Sequence, residues 1–181
     1  MLRTKVAALA AVALLGGVLG ACGGEEGVDP QTYVQEVCGS MQDWLQSIQQ
    51  GGQDLQELAG AQPAEAKDAI TAFLEDAIDS TETLIGDIEE TGPPAVDNGE
   101  NVHQTLIDGF EQAKSTFEDA AAQAEDLPTE SQAEFQSAAQ ELGTSITNAQ
   151  SEIQDTFDQA EPSQELDQAF EDEESCSQLE I

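Results

Sequence analysis

Four long stretches of this 181-residue chain place an apolar residue at every third or fourth position, and proline or glycine interrupts each one. Such spacing puts the apolar residues on one face of a helix and excludes the strict alternation of a half-buried strand. The first stretch opens on Asp29 as N-cap and Pro30 at the first helical position. Val34, Val37, Met41, Trp44, Leu45 and Ile48 form its stripe, and Gly51-Gly52 is expected to end it. Gln53 to Ala59, with Leu55 and Leu58, can add one or two turns before Gly60 and Pro63. A second helix is expected from Pro63 to about Glu90, carrying Ile70, Phe73, Leu74, Ala77, Leu84 and Ile88. Gly92-Pro93-Pro94 stops it, because proline lacks the amide hydrogen and clashes with the preceding turn.

A third helix is expected from about Asn98 to Asp126, with Val102, Leu106, Phe110, Ala113, Phe117 and Ala124 facing inward. A fourth is expected from about Glu130 to Ala160, with Phe135, Ala138, Leu142, Ile146, Ala149, Ile153 and Phe157. Leu166, Ala169 and Phe170 suggest a short final helix. Helices two to four would each be about 40–47 Å long at ~1.5 Å per residue. Their short connections favour antiparallel neighbours. The expected fold is therefore all-α: an antiparallel bundle of about four helices, closed by a shorter first helix. Alanine and threonine on the inward faces predict a slim core with closely packed helices.

The N-terminus has a different character. Met1-Leu2-Arg3-Thr4-Lys5 is a basic head, and Val6 to Leu19 is built from Ala, Val, Leu and Gly. This is the pattern of a secretory signal. A transmembrane helix is the rival, but Val6–Ala21 has only 16 residues, against the ~20 needed to cross a bilayer core. Leu19-Gly20-Ala21-Cys22 resembles the lipobox of bacterial lipoproteins. The resemblance implies removal of residues 1–21, diacylglycerol on the Cys22 sulfur, and in some cases an N-acyl chain as well. Several acyl chains anchor firmly, at ~0.8 kcal/mol per buried methylene. The alternative is an ordinary signal cut after Ala21, which would leave an exposed thiol in an oxidising compartment. Residues 22–29 are read as a flexible tether and residues 30–181 as an acidic helical-bundle domain.

Charge then narrows function. Arg3 and Lys5 lie in the export segment, so Lys67 and Lys114 alone oppose 38 acidic residues downstream, a net charge near −36. Nucleic-acid binding needs cations that displace counterions from phosphates, and this domain lacks them. Binding to anionic lipid through a basic patch is unsupported on the same ground. A solvating acidic surface accounts for the charge. Long-range attraction of cations or of a basic partner is its functional reading.

Three cysteines are odd in number. If lipidation consumes Cys22, Cys38 and Cys176 form an even pair in a compartment that permits oxidation. A disulfide between them is predicted, tethering the C-terminal tail to helix one. A metal or redox role for the pair would call for Cys-x-x-Cys spacing or a nearby histidine, and neither is present. Tyr33-x-x-x-Val37-Cys38, then Trp44, with a lone cysteine close to the C-terminus, resembles a class of small acidic secreted lipoproteins of actinobacteria. That resemblance implies a helical domain and carries no active-site residues onto this chain.

Candidate chemistry is thin. Glu100-Asn101-Val102-His103 has the Glu-x-x-His spacing of di-iron bundles, which need two such motifs and two further carboxylates. His103 is the only histidine, so the default for it is a solvent-exposed or helix-start residue. A Ser-His-acid set would have only His103 to use, and no Gly-x-Ser-x-Gly elbow exists. Carboxylate pairs for glycoside hydrolysis arise by chance in so acidic a chain, and the aromatics of a sugar cleft are scarce. Tyr33 and Trp44 are read as core rather than as a ligand platform. Glu171-Asp172-Glu173-Glu174 offers oxygen ligands, but without an EF-hand pattern such a run binds calcium weakly. No catalytic residue, metal ligand or cofactor site is assigned, and the chain is not read as an enzyme. The expected role is a membrane-anchored extracytoplasmic lipoprotein, held through Cys22, that acts as a protein-interaction or structural envelope module. A small-ligand or divalent-cation-binding lipoprotein is the alternative.

Overall fold

A computed structural model describes residues 27–57, 60–157 and 161–177. Its order is α1 (Pro30–Glu57), α2 (Pro63–Thr91), α3 (Gly99–Glu125), α4 (Gln132–Phe157), α5 (Gln164–Asp172) and α6 (Glu174–Ser177). The described residues contain no strand, only an isolated bridge between Val28 and Pro94. The export segment, Cys22, Leu58, Ala59 and the expected end of helix four at Ala160 lie outside the described residues.

α1 starts as its capping residue dictates. Asp29 Oδ1 accepts from the backbone N–H groups of Gln31 and Thr32 at 3.1 and 3.2 Å, satisfying donors that have no partner inside the helix. α2 begins with Pro63 in its first turn and ends at Gly92, whose φ of 74° turns the chain out of the helix. α5 is capped by Ser163, whose hydroxyl accepts from the Leu166 N–H at 3.3 Å.

The end of α1 differs from expectation. The helix runs through Gly51-Gly52 to Glu57 and is 28 residues long, matching the 29, 27 and 26 of α2, α3 and α4. Helix one is therefore not the short member of the bundle. The reason is tertiary: a Cβ at Gly51 would fall inside the contact distance of the Phe73 ring. The glycine lets α2 lay an aromatic ring against the backbone of α1. That packing offsets the ~1 kcal/mol that a glycine costs inside a helix.

Neighbouring long helices run antiparallel. Trp44 meets Thr81 while Gly51 meets Phe73, and Glu82 meets Lys114 while Lys67 meets Glu125. α2 packs on α1 and α3, and α3 packs on α4; among the described residues α1 and α4 share no comparable packing. α5 and α6 dock on α1 instead.

The apolar residues accordingly divide into two cores. One joins Tyr33, Val34, Val37 and Cys38 of α1 to Leu84 and Ile88 of α2, Val102, Ile107 and Phe110 of α3, and Leu166 and Ala169 of α5. The other joins Leu74 of α2 to Ala120 and Ala124 of α3, Leu127, and Phe135 and Leu142 of α4. α5, rather than α4, thus packs beside α1 among the described residues.

Residues 27–29, expected in the tether, are stitched to this domain. Val28 donates its N–H to Pro93 O at 2.8 Å and accepts from Ala95 N at 2.7 Å. A Cβ on Gly27 would lie 2.7 Å from Pro93 O, so only glycine permits so close an approach of the two backbones. The chain therefore enters the fold beside the α2–α3 loop.

Candidate functional site

Three sequence-level features are brought together at the end of the bundle where the chain enters. Cys38, near the start of α1, is bonded to Cys176 in α6, with Cα atoms 5.2 Å apart and 138 residues between them. The predicted pairing is present. Gln42 Nε2 donates to Ser175 O at 2.8 Å one turn further along α1, so a hydrogen bond reinforces the covalent clamp. The acidic run 171–174 is not a free tail. It spans the α5–α6 junction, where the Glu173 carboxylate accepts from the Ser175 N–H and hydroxyl at 3.2 and 2.9 Å and caps α6.

Tyr33 and His103 form a polar pair inside this core. Tyr33 is fully buried, and His103 is 7 % exposed. The Tyr33 hydroxyl lies 3.5 Å from His103 Nδ1, and the rings meet edge to face at 5.9 Å between centroids. His103 does lie near the start of α3, as one branch of the expectation had it, but it is buried and not solvent-exposed. His103 precedes Ile107 and Phe110 by four and seven residues, so it belongs to the inward face of α3, where α1 covers it. That spacing was visible in the sequence; the Tyr33 partner, 70 residues away, was not.

Burial sets the electrostatics of the pair. Loss of water holds the His103 pKa below its usual 6.5, although the nearby Glu100 and Glu89 carboxylates pull it the other way. Burial likewise pushes the Tyr33 phenol well above its ordinary range. Both groups are therefore neutral at pH 7. A neutral imidazole carries one N–H and one bare nitrogen, so either tautomer can pair with the phenol. The pair supplies hydrogen bonding and ring packing. Among the described residues, no group of three or more His, Cys, Asp or Glu side chains could hold a metal ion.

Trp44 is structural, as its spacing suggests. Its Nε1–H donates to Thr81 Oγ1 at 2.9 Å, and its ring meets Phe110 edge to face at 5.5 Å. Thr81 is fully buried and passes its own hydrogen to Ala77 O at 2.7 Å. A threonine on the inward face of α2 therefore solves a specific problem, the indole N–H of the neighbouring helix. Sequence reasoning found inward threonines but had no signal for this partnership.

Both lysines among the described residues are engaged. Lys114 Nζ lies 3.4 Å from Glu82 Oε2. Lys67 Nζ donates to the Glu125 carbonyl at the C-terminus of α3, where a cation complements the helix dipole. Protein-family models, curated proteins and solved structures were compared with this chain, and none matches. No helix among the described residues is long and apolar enough to cross a membrane.

Proposed function

We propose that this protein is a lipoprotein anchored through Cys22 on the extracytoplasmic face of a membrane, and that its acidic bundle is a protein-interaction or structural module of the envelope. Cysteine accounting carries this reading. Cys38 and Cys176 are bonded to each other, so Cys22 is the one cysteine left over, and Leu19-Gly20-Ala21 precedes it. A disulfide also agrees with an oxidising compartment outside the cytoplasm. With the anchor at Cys22, Gly27 would sit within about 17 Å of the acyl attachment, since each residue spans at most ~3.3–3.6 Å. The long helices would then carry the opposite end about 40 Å further. Like charge between an acidic domain and an anionic surface favours such an upright, projecting pose. The absence of a basic face argues against a nucleic-acid partner.

Metabolic labelling with an alkyne-bearing palmitate analogue, followed by fractionation, tests the anchor. The wild-type chain should carry the label and sediment with membranes. Cys22→Ser should lose the label and remain as an uncut precursor. Label retained on the Cys22→Ser chain, or a wild-type chain free of lipid by intact mass, overturns the proposal.

A further inference from the structure

We infer that Asn98 is a deamidation site that the native fold holds closed. Of the chain's three asparagines, Asn98 alone precedes a glycine; Asn101 and Asn148 precede Val102 and Ala149. A glycine leaves its own backbone nitrogen unshielded, so that nitrogen can reach the side-chain amide of the residue before it. The fold itself requires this dipeptide. A Cβ at position 99 would fall inside the contact distance of the Pro94 carbonyl, so only glycine fits there. Asn98 has a φ of 65°, and no other non-glycine among the described residues has a positive φ. After glycine, asparagine is among the residues that best tolerate this left-handed region. Its Nδ2 also donates to Glu161 O at 3.0 Å, which ties the α2–α3 loop to the segment before α5.

The reaction needs only water. The Gly99 nitrogen, having lost its proton to hydroxide, attacks Asn98 Cγ. The N–Cγ bond forms, the Cγ–Nδ2 bond breaks, and Nδ2 takes a proton from water and leaves as ammonia. Water then opens the cyclic imide. Cleavage of the bond to Cγ gives aspartate; cleavage of the bond to the backbone carbonyl carbon gives isoaspartate, with an extra methylene in the main chain. The native geometry blocks the first step in two ways. Gly99 is buried and its N–H donates to Val96 O at 3.0 Å, which opposes loss of the proton. A ψ of 12° at Asn98 sets the Gly99 nitrogen beside Asn98's own nitrogen, turned away from Cβ. Attack therefore requires rotation about ψ, which breaks the bond from Val102 N–H to Asn98 O and unwinds the first turn of α3. Conversion is one-way. The product carboxylate has no donor for Glu161 O, and it joins Asp97, Glu161 and Glu165 around the same cleft. The site thus keeps a permanent record that this end of the domain has opened.

The test ages the full chain, with its disulfide formed, at pH 8 and 37 °C, both native and in guanidinium chloride. Peptide mapping by mass spectrometry reads the gain of about one dalton at each asparagine, and elution separates the two products. Asn98 should convert at least tenfold faster in the unfolded chain than in the native protein. In the unfolded chain it should also convert at least tenfold faster than Asn101 and Asn148. Both aspartate and isoaspartate should appear, because the imide has two bonds to open. Equal rates at Asn98 in the two states, or a rate no faster than that of Asn101 once unfolded, overturn the inference. Aspartate as the sole product overturns the imide route. Asn98→Asp reproduces the aspartate product, and amide exchange at Leu166 and Ala169 in α5 should then be at least threefold faster than in wild type. Unchanged exchange there overturns the role of Asn98 as a tie between the two segments. These outcomes leave the anchor reading untouched, because the lipid label on Cys22 is measured independently.

Discussion

Two adjacent glycines in α1 should respond differently to the same substitution. In a solvent-facing helix interior, glycine to alanine stabilises by about 1 kcal/mol, through loss of backbone freedom in the unfolded chain. Gly52 is such a position, since a Cβ there meets nothing within 4 Å. Gly52→Ala should therefore gain about 1 kcal/mol. A Cβ at Gly51 would instead press on two ring carbons of Phe73. Moving that ring disturbs a half-buried aromatic that also packs against the second core. Overpacking of this kind costs about 1–3 kcal/mol, enough to cancel or reverse the helical gain. Gly51→Ala should thus be neutral to destabilising by about 2 kcal/mol. The assay is urea unfolding followed by circular dichroism, with each substitution made in the wild-type and Phe73→Ala backgrounds. Truncating the ring removes the obstacle, so Gly51→Ala should recover about 1 kcal/mol of stabilisation in the Phe73→Ala background, while Gly52→Ala should behave alike in both. Equal stabilisation by the two alanines in the wild type would refute the argument. So would a Gly51→Ala effect indifferent to Phe73.

Three further outcomes follow from the geometry. Reducing the Cys38–Cys176 bond opens a loop of 138 residues, worth up to about 5 kcal/mol in the chain-entropy model. The thermal midpoint should fall by roughly 10–20 °C for a domain of this size, and a drop below about 3 °C in calorimetry would contradict it. His103 is held neutral by burial, so its folded-state pKa lies below 6.5 and the unfolded chain binds its proton first as pH falls. The stability contributed by neutral His103 is present above pH 6.5 and lost as pH drops through the folded-state value. The stability advantage of wild type over His103→Gln should therefore shrink between pH 7 and pH 5 in urea titrations; a constant or growing advantage would contradict this sign. Thr81→Val removes the acceptor of the Trp44 N–H and should cost about 1–3 kcal/mol. Unchanged stability, with tryptophan emission identical to wild type, would show that the indole does not depend on Thr81.

The legibility of this molecule follows the range of the forces involved. Helices α2, α3 and α5 could be read to within a few residues because their stripes, prolines and caps act locally: Pro63 opens α2, Gly92-Pro93 closes it, and apolar residues at Leu166 and Ala169 define α5. The Cys38–Cys176 bond was legible through parity only once the lipobox resemblance set Cys22 aside. No spacing rule names a partner 138 residues away. The Tyr33–His103 pair was not legible, because the two residues lie 70 positions apart.

What the sequence determined by itself was the all-α class, a bundle of about four helices, their antiparallel order and the acidity of their outer faces. Periodicity, breakers and charge are properties of neighbouring residues, and they survive without knowledge of the fold. The tertiary structure alone decided where those helices meet. It carried α1 through Gly51-Gly52, because a ring from α2 occupies the space a side chain would need. It drew His103 inside beside Tyr33, because α1 covers that face of α3. It also placed α5, rather than α4, against α1. Each outcome depends on contacts between residues far apart in the chain, where packing energy outweighs the local preference that a single stretch of sequence can express.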